Sequence, residues 1–281
     1  NQMPPSYWFT AQNDTEDLEE DEYDPYKGWK ENLMNKSGAR DLAESESLLE
    51  FSELCQFQPF HLDFHYRSYH PLLIEFSNAA FYKSRLHPLP KRIFQSPIQF
   101  ITVDGTYENQ QNRDEANVVI EVLRQLKTDA NGDFPSVGIA TFNQKQKNLI
   151  WELLKREAQL DSSFRTRYRE LEEKGLFVKN LENIQGDERD IIILSTTYGR
   201  DRNGKAIRNY GPMTRTGLGH RLLNVIITRA KKKIFVLTSI PEENYMEYKH
   251  ELGGSQILER GYFHAYLAYA KAVSENDQES I

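Results

Sequence analysis

The stretch Asn183-Ile184-Gln185-Gly186-Asp187-Glu188-Arg189-Asp190-Ile191-Ile192-Ile193-Leu194-Ser195-Thr196 sets a polar turn against a run with no polar residue from Ile191 to Leu194. A strand with one wet face alternates apolar and polar residues. One that is apolar throughout is covered on both faces, as in a parallel sheet flanked by helices. The same reading predicts strands over 61–64, 98–103, 137–142, 177–179, 191–196 and 234–239.

Helical periods fall between these runs. Over 115–127, Ala116, Val119, Ile120, Leu123 and Leu126 share one face, and Asn112 stands three residues before Glu115 as in a capping box. Helices are also expected over 144–158, with Ile150, Leu153 and Leu154 on one side, over 162–174 as a charged and more exposed element, over 218–230 and over 265–273. Alternation of strand and helix from Phe57 onward gives an α/β domain with a parallel sheet over 57–240. It is preceded by a connector over 1–56 with a short helix at 45–54, and followed by a helical extension over 241–281.

A chain of 281 residues, 38% apolar and 27% charged, is long enough for one sizeable core with appendages. Its one cysteine, Cys55, excludes an internal disulfide framework and fits a reducing compartment. No stretch approaches the roughly 20 apolar residues of a membrane span, so no membrane partner and a cytoplasmic location are expected. Asn1 in place of an initiator Met is read as a region of a longer polypeptide. The net charge of -7 is unpromising for phosphate binding, but eight carboxylates lie in 13–24, read as a solvated, flexible insertion or, alternatively, as a regulatory mimic of nucleic acid, and without them 35 bases face 34 acids.

Four polar segments border the predicted strands, where an α/β sheet meets its ligands. In His65-Tyr66-Arg67-Ser68, Arg67 offers a planar fork either to phosphate oxygens or to a local carboxylate. In the segment 180–190, Gly186 permits close backbone approach and Glu188 can accept from ribose hydroxyls; the alternative is a plain polar turn. Arg229 and Lys231–Lys233 end an apolar helix, which the helix dipole alone would favour. Thr141-Phe142-Asn143-Gln144 follows a strand and offers hydroxyl and amide groups to a nucleic-acid phosphate. The chain carries no G-x-x-x-x-G-K-S/T loop, no H-E-x-x-H, no paired cysteines and no G-x-S-x-G, which removes support from zinc-protease, zinc-finger and serine-hydrolase readings.

The ordered set NQMPPS (1–6), HYRS (65–68), ATFNQKQ (140–146), NIQGDERDIIILS (183–195) and RLLNVIITRAKKK (221–233) resembles the C-terminal motor half of superfamily 1 helicases. The branch it is most similar to includes the nonsense-mediated-decay RNA helicase and bacterial DNA-helicase-like relatives. The resemblance implies a RecA-like, P-loop-NTPase-type parallel sheet flanked by helices and lacking its own Walker A loop. ATP with Mg2+ then binds in the cleft against a first RecA-like domain of the same polypeptide, whose phosphate loop and metal ligands lie upstream. It further implies that Gln2, Arg67 and Arg229 sense the γ-phosphate and that Tyr66 is a neighbouring nucleotide contact. Glu188 stands near the ribose, with Gln185 and Gly186 shaping that loop. Thr141 and Asn143 belong to the groove for single-stranded DNA or RNA. The acidic insertion and the bulk of Leu223 and Ile226, where relatives read R-L-N-V-A-I-T-R, depart from the pattern. A non-catalytic nucleic-acid-binding or scaffold module with a helicase-derived fold is the alternative, and a nucleotide-driven switch on a protein partner a further one.

Overall fold

The computed structural model describes residues 52, 56–58, 60–89 and 96–277. Gln2, Cys55, the acidic run and, apart from Ser52, the helix expected over 45–54 lie outside the described residues. The sheet and its helices belong to the unit Asp63–Ile281.

The chain enters through β1 (Phe64–His65), helix α1 (Leu72–Phe81) and β2 (His87–Pro88), then β3 (Ile98–Thr102) and a hairpin of β4 (Tyr107–Glu108) and β5 (Gln111–Asn112). Next come α2 (Arg113–Gln125), β6 (Val137–Thr141), α3 (Gln144–Leu160), α4 (Ser162–Glu173), β7 (Phe177–Asn180) and β8 (Arg189–Ser195). After a 3-10 turn at Gly211–Thr214 follow α5 (Gly219–Ile227), β9 (Ala230–Thr238), α6 (Glu242–Tyr245), α7 (Tyr248–Gly253) and α8 (Glu259–Glu275). Five strands form one sheet in the order β3-β9-β8-β6-β7, every neighbouring pair parallel.

The all-apolar runs are buried on both faces, as expected. Ile191 and Ile193 of β8 join Ile139, Phe235 and Leu237 in a core closed by Val119, Ile120 and Leu123 of α2, Ile150 and Leu154 of α3 and Leu171 of α4. Ile192 and Leu194 alternate to the other face and are fully buried. On that side α1 meets β9, and α8 meets both β3 and α5. The helical extension is therefore a layer of the sheet: α8 buries Phe263, Tyr266, Leu267 and Ala270, and starts well before the expected residue 265. Helix α4 also hides a stripe, Phe164, Tyr168 and Leu171, that its charge disguised.

Three expectations are corrected. The strand expected over 61–64 is two residues long and pairs with β2 outside the main sheet, with Phe64 exposed. Helix α5 ends at Ile227, and β9 already begins at Ala230, so the three lysines are strand residues. Their pairing with β8 contains a bulge: Arg189 faces Ala230, but Ile191 faces Lys233, leaving one extra residue on β9. At α2 the capping box is only half built. Asn112 Oδ1 accepts from the Glu115 amide at 3.0 Å, but the Asn112 amide donates to Gln146 Oε1 while the Glu115 side chain turns into the sheet.

Candidate functional site

At the amino ends of β8 and β9 three residues singled out from the sequence, Arg67, Glu188 and Arg229, come together with Lys231. Arg67 Nε donates to Glu188 Oε2 at 2.6 Å, and Lys231 Nζ stands 2.8 Å from the other oxygen of the same carboxylate. Of the two readings of Arg67, the structure thus shows a carboxylate partner, contributed by a loop distant in sequence. The terminal nitrogens of the fork carry no hydrogen bond among the described residues. Backbone bonds hold the pieces: the Tyr69 amide donates to Lys231 O at 2.8 Å, and the Arg189 amide to Arg229 O at 3.2 Å. His65 locks the entry, its Nε2 accepting from the Ser68 amide at 3.1 Å and lying 2.8 Å from Ser68 Oγ. Burial, then the charge of Arg67, pushes the His65 imidazole below its ordinary pKa and keeps it a neutral acceptor.

Arg229 folds back on the helix that carries it. Its Nε donates to Val225 O at 2.8 Å, Nη2 to Thr228 Oγ1 at 3.1 Å and Nη1 to Asp187 O at 3.5 Å. Thr228 Oγ1 is itself fixed on Asn224 O at 2.8 Å. Burial first, and then the Arg67 charge, depress the Arg229 pKa, as expected of two guanidinium groups that share one corner of the molecule. The hydrogen bond from Lys231, the largest effect, holds the Glu188 carboxyl below the ordinary glutamate range against the opposing effect of burial, with the hydrogen bond from Arg67 adding to it.

Gly186 takes φ +91, a conformation in which a side chain is strained, and forms the exposed turn next to Gln185. Tyr66 is 78% exposed beside Arg67. A planar cationic fork, a second half-buried guanidinium, an exposed aromatic ring and a carboxylate suit a phosphorylated ligand with a stackable base.

Thr141 and Asn143 lie elsewhere, at the carboxyl end of β6. Thr141 is fully buried and donates its hydroxyl proton to Asn143 O at 2.9 Å. Asn143 is the N-cap of α3, accepting from the Gln146 amide at 2.9 Å. The Thr141 hydroxyl and Asn143 Oδ1 thus serve the local turn, at the end of the sheet opposite to the arginines, while Asn143 Nδ2 is buried without a hydrogen-bond partner among the described residues.

Sequence reading overlooked the centre of that opposite end. Glu115, fully buried, accepts at Oε2 from Ser195 Oγ and the Thr197 amide, both at 2.7 Å, and at Oε1 from the Ser239 amide at 2.9 Å. It therefore ties α2 to the loops after β8 and β9. Burial pushes its carboxyl up to about 7, opposed by those hydrogen bonds. The available signal was an acid at a position that the helical period assigns to the buried face.

No helix among the described residues is long and apolar enough to cross a membrane. The AAA domain family profile matches residues 44–240. An uncharacterized ATP-dependent helicase of Mycoplasma genitalium is 38% identical over 224 residues, which is 78% of this chain and 19% of that protein. Its Mycoplasma pneumoniae homologue is 36% identical over the same shares. The Drosophila melanogaster homologue of regulator of nonsense transcripts 1 is 28% identical over 228 residues, 73% of this chain and 17% of that protein. The chain thus spans about a fifth of the length of the curated relatives it matches. With its RecA-like parallel sheet and these matches, the chain belongs to the AAA domain family and is related to the superfamily 1 helicases.

Proposed function

We propose that the chain is the C-terminal motor domain of an ATP-dependent superfamily 1 helicase that moves on single-stranded DNA or RNA, with Arg229 and Arg67 as its γ-phosphate-sensing cations. The state of Arg229 carries this reading. The guanidinium is half-buried beside a second guanidinium, and its hydrogen bonds among the described residues go to neutral oxygens. Two cations sharing one carboxylate leave positive charge to be matched by an anionic ligand.

Phosphoryl transfer is accelerated mainly by positioning and by positive charge at the transferring group. An arginine that reaches it is typically worth about 10³ to 10⁵ in rate, or roughly 4–7 kcal/mol. Arg67 and Arg229 hold those charges, Glu188 orients Arg67 while keeping lone pairs for a ribose hydroxyl, and exposed Tyr66 is placed to stack. Gln185 and Gly186 shape the loop, and Gln2 completes the γ-phosphate contacts. Bound ATP with Mg2+ supplies the reactive phosphoryl group and the metal's charge. We assign its ligands and the phosphate loop to the first RecA-like domain of the same polypeptide, as the helicase resemblance implies. The isolated chain is then without ATPase activity.

Thr141 and Asn143 shape the strand end that borders the nucleic-acid groove, the Thr141 hydroxyl and Asn143 Oδ1 being engaged in the turn. ATP bound by both domains closes the cleft and hydrolysis releases it, so a strand held by both is stepped along.

The test is the ATPase rate of the full-length protein with and without single-stranded DNA or RNA, beside its Arg229→Ala variant. Polymer-stimulated turnover lost in the variant supports the motor. Turnover indifferent to Arg229 overturns it.

A further inference from the structure

The helix that leads to Arg229 cannot close its own beginning. Helix α5 is nine residues long, its N-cap is Leu218, which has no side-chain acceptor, and its first turn holds no acidic residue. Most of the helix is buried, and amide protons left at such an end are costly. The acceptor comes from 39 residues further on. Glu259, the first residue of α8, accepts from the His220 amide at 2.9 Å through Oε2 and from the Gly217 amide at 2.8 Å through Oε1, and its Oε2 also stands 2.9 Å from His220 Nδ1. His220 is the second residue of α5, the position whose amide a good N-cap side chain normally satisfies. The Glu259 side chain is only 12% exposed. Because Glu259 also opens α8, two helix N-termini converge on one carboxylate, each favouring its negative charge.

The far end of the same short helix is where Arg229 is fastened, through Val225 O and through Thr228 on Asn224 O. Gly219 keeps the near end in place as well: a Cβ there would stand 2.1 Å from Met213 O. Helix α5 is thus a rigid lever of roughly 14 Å by its rise per residue, clamped by the C-terminal layer at one end and carrying a guanidinium at the other.

We propose that Glu259 is a positioning residue for Arg229: by capping α5 in place of a local N-cap, the C-terminal helix α8 sets where the arginine stands. The proposal rests on Arg229 acting in ATP turnover. It makes the extension after β9 part of the nucleotide machinery, although among the described residues the hydrogen bonds and ion pairs of Arg67, Glu188, Arg229 and Lys231 go to other parts of the chain.

The experiment uses the full-length protein with ATP and saturating single-stranded polymer, and compares wild type, Glu259→Ala, Glu259→Asp, Glu259→Gln, Arg229→Ala and Lys271→Ala. Lys271 lies on α8 and pairs with Glu242 at 2.5 Å, away from α5, so its loss controls for a general weakening of that helix. Glu259→Ala is expected to lower kcat by on the order of ten- to a hundred-fold with little change in KM, the pattern of a misplaced group that acts in the transition state. Glu259→Asp recovers part of the loss, and Lys271→Ala turns over as wild type. In an Arg229→Lys background, which lacks the guanidinium bonds to α5, Glu259→Ala costs markedly less, as required of two residues acting through one path. If Glu259→Ala does not fold, Glu259→Gln, which keeps the shape and loses the charge, takes its place in the same cycle. Wild-type kcat in the Glu259 variants together with an inactive Arg229→Ala sinks the proposal and leaves the motor reading intact. Equal costs of Glu259→Ala in the wild-type and Arg229→Lys backgrounds also overturn it. Full activity of Arg229→Ala overturns both.

Discussion

Arg67 and Glu188 stand 121 positions apart in the chain, and a 2.6 Å hydrogen bond from Nε to Oε2 joins them at the amino edge of the sheet. Lys231 completes the group from β9. Glu188→Gln removes the charge that both bases share. The carboxylate is 38% exposed, so solvent screens it and the expected loss is at most about 1 kcal/mol. Because its folded pKa is depressed, the contribution is present above the ordinary value of 4.5 and fades as pH falls through the lower folded value. Thermal midpoints of the two proteins should differ slightly at pH 7 and converge in strong acid. An equal gap at both ends of the range counts against the bridge.

Glu115 titrates in the opposite sense. Its carboxyl is raised to about 7, so its contribution is complete below the ordinary value of 4.5 and declines as pH rises through the folded value. The full effect is roughly 3 kcal/mol. Urea midpoints should fall for the wild type between pH 5 and pH 8. Glu115→Gln should lose that slope, while starting about 1–3 kcal/mol lower because its NH2 must face one of the two backbone donors, from Thr197 or from Ser239, that sit on opposite oxygens of the carboxyl. Parallel pH slopes in the two proteins would exclude this account.

Asn143 stabilises α3 as a cap. Asn143→Ala deprives the Gln146 amide of its acceptor and should cost about 1 kcal/mol, whereas Asn143→Asp should restore most of it. Equilibrium unfolding in urea reads both, and an unchanged alanine variant would show the cap to be idle.

Gly219→Ala is the harshest of these substitutions. The added carbon would lie 2.1 Å from Met213 O and 2.8 Å from Met213 C, backbone atoms of the preceding 3-10 turn that cannot swing aside. A loss of at least about 2–3 kcal/mol is expected. A midpoint within a degree of wild type would mean that the turn can shift freely.

The parts that were legible from sequence are those governed by local periodicity. The apolar runs at 137–142, 191–196 and 234–239 and the helices at 115–127 and 144–158 were readable because covered strands and one-sided helices repeat at fixed spacing. The sheet order was not, since nothing local says that β9 lies between β3 and β8. The helicase-like motifs singled out Arg67, Glu188 and Arg229, and the fold gathers them. Lys231 as second partner of Glu188 was hidden because the basic cluster was read as the C-terminal end of a helix, while the strand had already begun. Glu115 and Glu259 escaped for one reason. Each carboxylate serves amides that are far from it in sequence, so its meaning exists only once the chain is folded.

The bulge at the start of β9 makes chain length itself a requirement there. In an even ladder side chains alternate strictly, and one extra residue shifts the parity of everything before it. Deleting a single lysine from the three at 231–233 would straighten the pairing and turn the residues ahead of it to the opposite face, carrying the base away from Glu188. Replacing a lysine by another residue keeps the count and the facing. Across descendants of this gene, the junction should therefore accept spelling changes far more readily than gains or losses of a codon.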